Sequence, residues 1–401
     1  MRNGWAVTRI GEIAKTQYGL SVPMNEEDKG FKIFRMGDVQ NGRLIDSGRM
    51  KYADISSREF EQYKLRSGDV LFNRTNSYEL VGKTGIFTLH GDYCFASYLV
   101  RLNLNRKKML PAFLNYFMNS DSFQEGVKRK ASRSINQANI NATILSNELI
   151  CFPESLSEQQ RIVGILDQAF EGIATAKVNA ERNLQNARAI FENHLQYVFT
   201  NPRTKWTNST VGAEITFIDY RGKTPAKTSS GIRLITAKNV KMGYLQRTPM
   251  EFIAAANYKG WMTRGIPKKG DVLFTTEAPL ANVAQLDTEE KVAFAQRIII
   301  MQPNSAKLDS TFLKYLLLSQ PLQQRIRTKG TGATVQGIKA SLLKSIEISF
   351  PKTLSEQEAI VAALDQLSHE TNRLESIYKQ KLAALDALKK SLLHQAFSGE
   401  L

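Results

Sequence analysis

Two segments of the chain, residues 155–199 and 353–397, place apolar residues three and four positions apart. They contain no proline and only two glycines, Gly164 and Gly172. This spacing, sustained over several heptads, predicts long helices that pack along an apolar stripe, as in a coiled coil. The stripe is predicted at Ile162, Leu166, Ile173 and Leu184 in the first segment and at Ile360, Leu364, Leu367, Leu374, Leu385, Leu388 and Leu392 in the second.

Each long helix is expected to begin shortly after a Phe-Pro pair. Ser157 with Gln160, and Ser355 with Glu358, have the spacing of a capping box, which satisfies the first backbone amides of a helix. The proline in segment 201–204 is expected to end the first helix. Because a compact region separates them, the two helices can pair with each other in antiparallel orientation. The alternative is that each helix packs only on its own domain.

The remaining parts of the chain, up to about residue 150 and from about 206 to 349, have a different pattern. They contain short runs of β-branched and aromatic residues bounded by glycine and other turn residues. Such runs predict short strands, expected at Lys32–Met36, Val70–Phe72, Tyr98–Leu102, Arg233–Ile235, Val272–Thr275 and Arg297–Met301. Helices are predicted between strands at Pro111–Met118 and Ser310–Leu318. Each part is therefore predicted to be a mixed α+β globular domain.

The two halves of the chain repeat the same sequence words in the same order. The matching words are Trp5–Gly11 and Trp206–Gly212, Gly68–Phe72 and Gly270–Phe274, Phe113–Tyr116 and Phe312–Tyr315, Phe152–Gln159 and Phe350–Gln357, and Leu166–Gln168 and Leu364–Gln366. A period of about 200 residues is too long for a solenoid repeat and indicates a domain duplication.

This pattern predicts an α+β fold with a pseudo-twofold internal duplication. Residues 1–152 and 201–350 are expected to form two globular domains. Residues 153–200 and 351–401 are expected to form two long helices that pair as an antiparallel coiled coil and act as a spacer.

Charge divides along the same boundaries. The chain carries a formal net charge of +16. Residues 1–150 carry +7 and residues 201–350 carry +12, whereas residues 151–200 and 351–401 carry −2 and −1. A basic excess confined to the globular parts points to a polyanionic partner, and nucleic acid is the first candidate.

The chain is expected to work in the cytoplasm. No run approaches the roughly 18 apolar residues that a membrane span requires. The first residues, Met1–Trp5, lack the apolar core of a signal peptide.

Catalytic and metal-binding patterns are missing from the sequence. Two cysteines make no disulfide framework, and the four histidines lie too far apart for a metal site. There is no phosphate-binding loop and no glycine-rich turn of the S-adenosylmethionine type. Glu289–Lys291, with Asp271 upstream, has the form of a nuclease triplet, but the first half has no counterpart. Cys94 lies in an apolar run and is expected to be buried rather than nucleophilic.

We therefore expect the chain by itself not to be an enzyme, with no catalytic and no metal-binding residue. Two alternatives stay open. One is a self-contained DNA nuclease or methyltransferase with a degenerate motif. The other is a scaffold or RNA-binding protein that uses its helices only for assembly.

The sequence resembles the specificity subunits of Type I restriction–modification systems over essentially its whole length. The resemblance rests on the doubled order of domain and long helix. It also rests on the words that open each helix at Phe152 and Phe350, on Ile-Val-x-x-Leu-Asp-Gln after Ile162 and Ile360, and on the ending 392–401.

This resemblance implies a non-catalytic subunit with two target recognition domains, each reading one half of a bipartite duplex DNA site. It implies two DNA methyltransferase (modification) subunits bound along the helices, and a restriction and translocase subunit outside them. S-adenosylmethionine, ATP and Mg²⁺ are then expected on those partners and not on this chain.

Candidate DNA contacts divide into phosphate and base contacts. Two cationic clusters precede the strands that lead to the Phe-Pro pairs, so they occupy matching places. The expected phosphate contacts are Lys128, Arg129, Lys130 and Arg133, then Arg325, Arg327, Lys329 and Lys339, with Lys223, Lys227 and Lys238 in addition. The expected base readers, in polar loops after matched strands, are Asn73, Arg74, Asn76, Thr275 and Thr276. A solvated helix end is the alternative for the cationic clusters.

Overall fold

The computed structural model describes residues 4–201, 206–222, 224–332 and 336–401. The chain divides into two compact units. Unit 1 comprises Met1–Glu181 together with Gln380–Leu401, and unit 2 comprises Arg182–Lys379. Each unit therefore contains one globular part, the start of the long helix that follows it, and the last stretch of the other long helix.

Unit 1 is a mixed α+β structure, as the sequence predicts. Its strands are β1 (Trp5–Arg9), β2 (Ala14–Tyr18), β3 (Phe31–Phe34), β4 (Val39–Gln40), β5 (Arg43–Leu44), β6 (Lys51–Ala53), β7 (Val70–Asn73), β8 (Thr75–Asn76), β9 (Thr84–Ile86), β10 (Tyr93–Phe95), β11 (Leu99–Leu104), β12 (Ser132–Ser134), β13 (Gln137–Asn139) and β14 (Leu149–Pro153). Its helices are α1 (Ile10–Ile13), α2 (Ser57–Tyr63), α3 (Pro111–Met118), α4 (Asp121–Arg129), α5 (Ala142–Asn147) and the first part of α6 (Leu156–Thr200), with a 3₁₀ turn at Met36–Asp38.

Unit 2 repeats this plan. Its strands are β15 (Thr207–Thr210), β16 (Ile215–Asp219), β17 (Ile232–Ile235), β18 (Glu251–Ile253), β19 (Val272–Thr275), β20 (Val283–Gln285), β21 (Val292–Phe294), β22 (Ile298–Pro303) and β23 (Glu347–Phe350). Its helices are α7 (Val211–Glu214), α8 (Tyr258–Trp261), α9 (Ser310–Leu318), α10 (Gln320–Lys329), α11 (Ala340–Lys344) and the first part of α12 (Leu354–Ser398), with a 3₁₀ turn at Ala255–Asn257.

The sheets confirm the duplication. In unit 1 the main sheet has the order β2-β11-β7-β9-β5-β4, and in unit 2 it has the order β16-β22-β19-β20. A second sheet, β10-β3-β6, matches β21-β17-β18, and each contains one parallel pair. Strand β1 pairs with β14, and β15 pairs with β23, which brings the start of each globular part to the strand that precedes its long helix.

The core of each unit is apolar and includes the long helices. In unit 1, Phe72 and Phe113 pack with Leu166 of α6, and in unit 2 Phe274 and Phe312 pack with residues of the equivalent sheet and helices. The predicted helices at Pro111–Met118 and Ser310–Leu318 are confirmed as α3 and α9.

A buried glutamine explains the repeated Leu-Ser-Glu-Gln word. Gln159 is fully buried, and its Nε2 donates to the carbonyls of Lys108 (2.9 Å) and Pro153 (2.8 Å), while its Oε1 accepts from the amide of Leu110 (2.9 Å). This one side chain joins the start of α6 to the loop before α3 and to the end of β14.

Unit 2 contains the same joint. Gln357 donates to the carbonyls of Lys307 and Pro351 and accepts from the amide of Asp309, at 2.8–2.9 Å. Because the word is needed to anchor the helix in each unit, its repetition has a structural cause.

The helix starts correct one prediction from the sequence. The capping residues are Ser155, which accepts from the amide of Glu158, and Thr353, which accepts from the amide of Glu356. The predicted boxes at Ser157 and Ser355 were therefore two residues late, because the helices already begin at Leu156 and Leu354.

The two long helices are paired antiparallel within each unit. In unit 1, Arg161 donates to the carbonyl of Leu401, and further along α6 Lys177 forms an ion pair with Asp386. As the residue number rises on α6 it falls on α12, which defines the antiparallel direction. Phe397 packs edge-to-face against Phe113 of the globular part.

Unit 2 has the equivalent arrangement with the roles of the helices exchanged. Arg188 of α6 donates to Glu375 of α12 at 3.1 Å, and Leu195 packs with Leu364. Phe199, near the end of α6, packs against Phe312 of α9, as Phe397 does in unit 1.

Most residues of the predicted apolar stripe on the long helices are buried or half-buried. Ile162, Leu166, Ile173 and Leu364 are buried, and a half-buried group contains Leu184, Ile360, Leu367, Leu385 and Leu392.

The prediction was wrong for Leu374 and Leu388. Both were placed in the apolar stripe, but they are 37% and 47% exposed. After Leu367 the inward positions move to Thr371 and then to Glu375, two consecutive steps of four, which is a stutter in the heptad pattern. Burial opposes ionisation of the Glu375 carboxyl, but hydrogen bonds from Arg188 and Lys379 hold its pKa below the ordinary value.

Within the described residues, no helix is both long enough and apolar enough to cross a membrane.

Candidate nucleic-acid interface

The polar segments that follow strands β7 and β19 lie at matching places in the two units. In unit 1 the amide of Arg74 donates to the carbonyl of Tyr98, and the amide of Ile140 donates to the carbonyl of Arg74. In unit 2 the amide of Thr276 donates to the carbonyl of Arg297, and the amide of Ile338 donates to that of Thr276. We call these surfaces the β7 edge (residues 74–76, 97–98 and 132–139) and the β19 edge (residues 276–277, 296–297, 331 and 337–339).

Three of the expected base readers, Asn73, Thr275 and Thr276, are buried, which argues against base contacts by their side chains. Asn73 is fully buried and its Nδ2 donates to the carbonyl of Met36 at 3.2 Å. Thr275 donates to the carbonyl of Pro279 at 2.6 Å, and Thr276 donates to that of Arg297 at 3.4 Å. These side chains donate to backbone carbonyls inside the fold. In unit 1, strand β7 runs one residue further than predicted and includes Asn73, whereas β19 ends at Thr275 as predicted.

Arg74 and Asn76 are only partly buried, and their role as base readers stays a prediction. The guanidinium of Arg74 lies over the ring of Tyr18, with 4.9 Å between its central carbon and the ring centroid, and donates to the carbonyl of Ser97. The Oδ1 of Asn76 accepts from the amide of Ser77 at 2.8 Å. Both lie on the β7 edge.

The first cationic cluster is partly occupied by contacts within unit 1. Lys128 donates to the carbonyl of Glu79, and burial lowers its pKa. Lys130 forms an ion pair with the buried Glu148 at 2.7 Å. Arg129 is 75% exposed and forms a longer ion pair, at 3.7 Å, with the exposed Glu125. Of these three cations, Arg129 is therefore the best placed for an external phosphate.

The cations of the second cluster also form hydrogen bonds within their own unit. Arg325 donates to the carbonyl of Glu347, Lys329 donates to Ser345, and Arg327 donates to Gln323 at 3.4 Å. Lys130 and Lys329 thus hold the ends of α4 and α10 against the segments that lead to the long helices. Phosphate binding by either cluster stays a prediction.

The other lysines differ from one another. Lys227 pairs with Glu251 at 2.8 Å, and Lys238 and Lys339 are exposed. Lys223 lies outside the described residues.

The sequence analysis missed several exposed side chains on or beside the two edges. Tyr98, on the β7 edge, is 42% exposed, and Tyr18, which lies outside the edge but contacts Arg74, is 43% exposed. Tyr78 packs under Arg133, whose guanidinium carbon lies 3.7 Å from the ring centroid. Alignment of the two halves on their strands finds such positions, because Tyr98 and Arg297 occupy the same place before β11 and β22.

The β19 edge carries charges where the β7 edge carries aromatic rings. A cleft of about 310 Å³ is lined by Arg221, Glu277, Arg297, Thr331 and Lys339 among others. Arg297 forms an ion pair with Glu277 at 3.1 Å, and both side chains are nearly half exposed. Arg297 also has a φ of 78°, which is rare for a residue other than glycine and is typical of functional sites.

The residues considered for catalysis lie in structural environments. Cys94 is buried, and burial raises the pKa of its thiol to about 12. Asp271 is buried and accepts hydrogen bonds from the amide of Lys268 and from Gln302. Glu289 is exposed beside Lys269. Among the described residues, no group of three or more His, Cys, Asp or Glu is placed to hold a metal ion.

Comparison with protein families gives a match to one domain model in both halves of the chain. The model describes the Type I restriction modification DNA specificity domain, and it matches residues 2–184 and 213–384. The two matched segments contain both edges and most of both long helices.

Individual proteins are similar over the whole chain or part of it. The type I restriction enzyme MjaVIII specificity subunit of Methanocaldococcus jannaschii is 22% identical over 420 residues, which cover 99% of this chain and 93% of that protein. The EcoKI specificity subunit of Escherichia coli K12 is 28% identical over 189 residues, which cover 46% of this chain and 39% of that protein. A solved chain from a study of complex assembly in a type I R-M system has the same fold, with a TM-score of 0.77, 20% identity, and coverage of 100% and 99% of the two chains.

Proposed function

The chain belongs to the Type I restriction modification DNA specificity family, and on that premise we propose how its two units read DNA. As a member of this family it is a non-catalytic subunit that recognises the DNA target of a type I restriction–modification complex. We infer that each unit reads one half of a bipartite duplex site, through the β7 edge in unit 1 and the β19 edge in unit 2.

One observation carries this proposal. The two edges have the same backbone frame, with the same hydrogen bonds to the residues before β11 and β22, but they carry different side chains. The β7 edge presents Tyr98 and Arg74, and the β19 edge presents Glu277 and Arg297. A common frame with different donors and acceptors suits two modules that read different base pairs by the same geometry.

Charge supports duplex DNA as the ligand. The globular sequences carry net charges of +7 and +12, so they attract phosphates independently of sequence. Exposed cations of the two units, of which Arg129, Lys238 and Lys339 are examples, would fix the register of the DNA, while the edges would supply base contacts.

We further propose the division of the chain that this function requires. Residues 1–152 and 201–350 act as target recognition domains, and residues 153–200 and 351–401 act as spacer helices. The antiparallel pairing of α6 and α12 inside each unit supports the spacer role, because rigid helices transmit a fixed separation.

The partners proposed for the chain are two modification subunits along the helices and a restriction and translocase subunit. S-adenosylmethionine, ATP and Mg²⁺ would be bound by those partners, and the complex would act in the cytoplasm. The buried Cys94 and the hydrogen-bonded Asp271 give no support to a nuclease or methyltransferase activity of this chain alone.

The test is a domain exchange in the complete complex. The chain is co-expressed with its partner subunits, and methylation sequencing of the host genome gives the bipartite motif. Replacement of residues 1–152 by the first domain of another specificity subunit should change one half-site and leave the other. A simultaneous change in both half-sites would contradict the two-module proposal.

A further inference from the structure

One short hairpin projects from the β7 edge. Strands β12 and β13 pair from Ser132 opposite Asn139 to Ser134 opposite Gln137, and a two-residue turn joins them. Residues 132–137 are all exposed. We call residues 132–139 the ribbon.

The ribbon is firmly attached at its base. Ala138 and Ile140 are buried in the core of unit 1. Strand β13 also pairs with β8, and Asn139 donates to the hydroxyl of Thr75 at 2.9 Å. Arg133 is stacked on the ring of Tyr78. The fold therefore holds the exposed end of the ribbon in a defined direction.

An isoleucine stands at the tip. Ile135 is 94% exposed, the highest value among the large apolar side chains of the described residues. It shares the turn with Asn136, which adopts a left-handed φ of 64°. Turns favour glycine, asparagine and aspartate, and β-branched residues are unusual there. A residue that breaks the local preference, with its side chain left almost wholly in solvent, is expected at a functional position.

The rest of the ribbon is suited to the edges of base pairs. It contains no acidic residue, and Arg133 is its only charge. The hydroxyls of Ser132 and Ser134 bond back to the ribbon. Within the described part of the chain, the side-chain amides of Asn136 and Gln137 have no hydrogen-bond partner, so they are free to bind another molecule.

The dimensions fit the major groove of B-DNA. The groove is about 12 Å wide and 8.5 Å deep and admits a two-stranded β-ribbon. Paired strands lie about 4.8 Å apart and rise about 3.3 Å per residue, so the three residues from Ser132 to Ser134 reach roughly 10 Å. That length brings the tip to the base edges while the buried base of the ribbon stays outside the groove.

We propose that the ribbon enters the major groove of the half-site read by unit 1 and that Ile135 packs against the 5-methyl group of a thymine. The free amide of Asn136 or Gln137 then pairs with the adenine of the same or the adjacent base pair, because amide side chains bind adenine N6 and N7. This inference rests on the proposed DNA-reading function and identifies the element and the base that it recognises.

The experiment uses the full chain in complex with its partner subunits and a duplex carrying the motif found by methylation sequencing. Each thymine of the half-site assigned to unit 1 is replaced singly by uracil, which removes only the methyl group. One replacement should raise Kd about fourfold for the wild-type complex, as expected for the loss of one buried methyl. In the Ile135→Ala complex the same replacement should change Kd by less than about 1.5-fold.

Leu149→Ala is the matched control, because Leu149 is also exposed in unit 1 but lies on β14, away from the ribbon. It should leave the uracil effect at fourfold. A half-site without thymine, a half-site insensitive to uracil, or an equal uracil effect in Ile135→Ala would overturn the proposal. In those cases the complex still binds and methylates its motif. A complex that recognises no bipartite motif would instead contradict the proposed function itself.

Discussion

Replacement of Gln159 by alanine should destabilise unit 1 strongly, although the side chain lies far from any proposed base contact. Gln159 is fully buried, and its three hydrogen bonds go to the backbone of Lys108, Leu110 and Pro153. Alanine leaves two carbonyls and one amide without this partner. A buried polar group that loses its partner costs about 1–3 kcal/mol, so three groups at the lower value cost about 3 kcal/mol.

Urea unfolding followed by circular dichroism measures this loss. With a slope of about 2–3 kcal/mol per molar urea, the midpoint should fall by roughly 1 M. Gln160→Ala is the matched control, because Gln160 is the next residue in the chain, is of the same type and is exposed. Its midpoint should stay near that of the wild type. Hydrogen exchange measured on peptides should place the loss of protection in unit 1.

A third variant separates hydrogen bonding from packing. Gln159→Met keeps most of the side-chain volume but makes none of the three hydrogen bonds, so it should be nearly as unstable as Gln159→Ala. A Gln159→Met protein with the wild-type midpoint, or a Gln159→Ala protein that matches Gln160→Ala, would refute the reasoning. Gln357→Ala should have the same effect in unit 2, because its hydrogen bonds repeat those of Gln159.

Three further predictions concern DNA binding by the complete complex. In a log–log plot of affinity against salt, Arg129→Ala should make the slope shallower by about 0.9, the value for one phosphate. Lys130→Ala should change it by less than half as much, because Lys130 pairs at 2.7 Å with the buried Glu148, whereas the ion pair of Arg129 with Glu125 is exposed and 3.7 Å long. Equal effects would contradict this. Glu277→Gln should alter the sequence preference of only the half-site read by unit 2, as measured by methylation sequencing. A change in the other half-site would contradict the assignment of the β19 edge to a single half-site. Insertion of four residues after Ala180, with four more after Lys379 to keep the helices matched, lengthens each long helix by about 6 Å. The gap between the half-sites should then widen by about one to two base pairs. An unchanged gap with full activity would exclude the helices as the spacer.

The sequence by itself determined the kind of each element and the doubled plan. The bounds of α3 and α9 follow from local features, namely a proline or a capping residue at the start and a continuous apolar face. The long helices follow from the heptad spacing, and the duplication follows from the repeated words. These properties depend on neighbours within a few residues, or on comparison of one half with the other, so no tertiary contact is needed to find them.

Tertiary structure decided which polar side chains are free to contact DNA bases. Asn73 and Thr275 are residue types that can read bases, yet both are buried and donate to backbone carbonyls. The carbonyl that accepts from Asn73 belongs to Met36, far away in sequence. Tyr98 and Arg297 gained their place through backbone hydrogen bonds to segments more than twenty residues away. A residue type states which bonds a side chain can make, but only the folded chain shows which of them are already made.

Tertiary structure also decided how the helices are shared. The sequence predicts two helices, but it does not show that residues 182–200 of α6 complete unit 2 or that residues 380–401, which include the end of α12, complete unit 1. Phe199 and Phe397 are apolar positions like many others until they pack against Phe312 and Phe113. The shift of the inward positions from Leu374 to Glu375 has the same origin, because Arg188, on the other helix, forms the ion pair that makes a carboxylate tolerable there. Such choices depend on contacts between residues distant in the chain, and local periodicity carries no information about them.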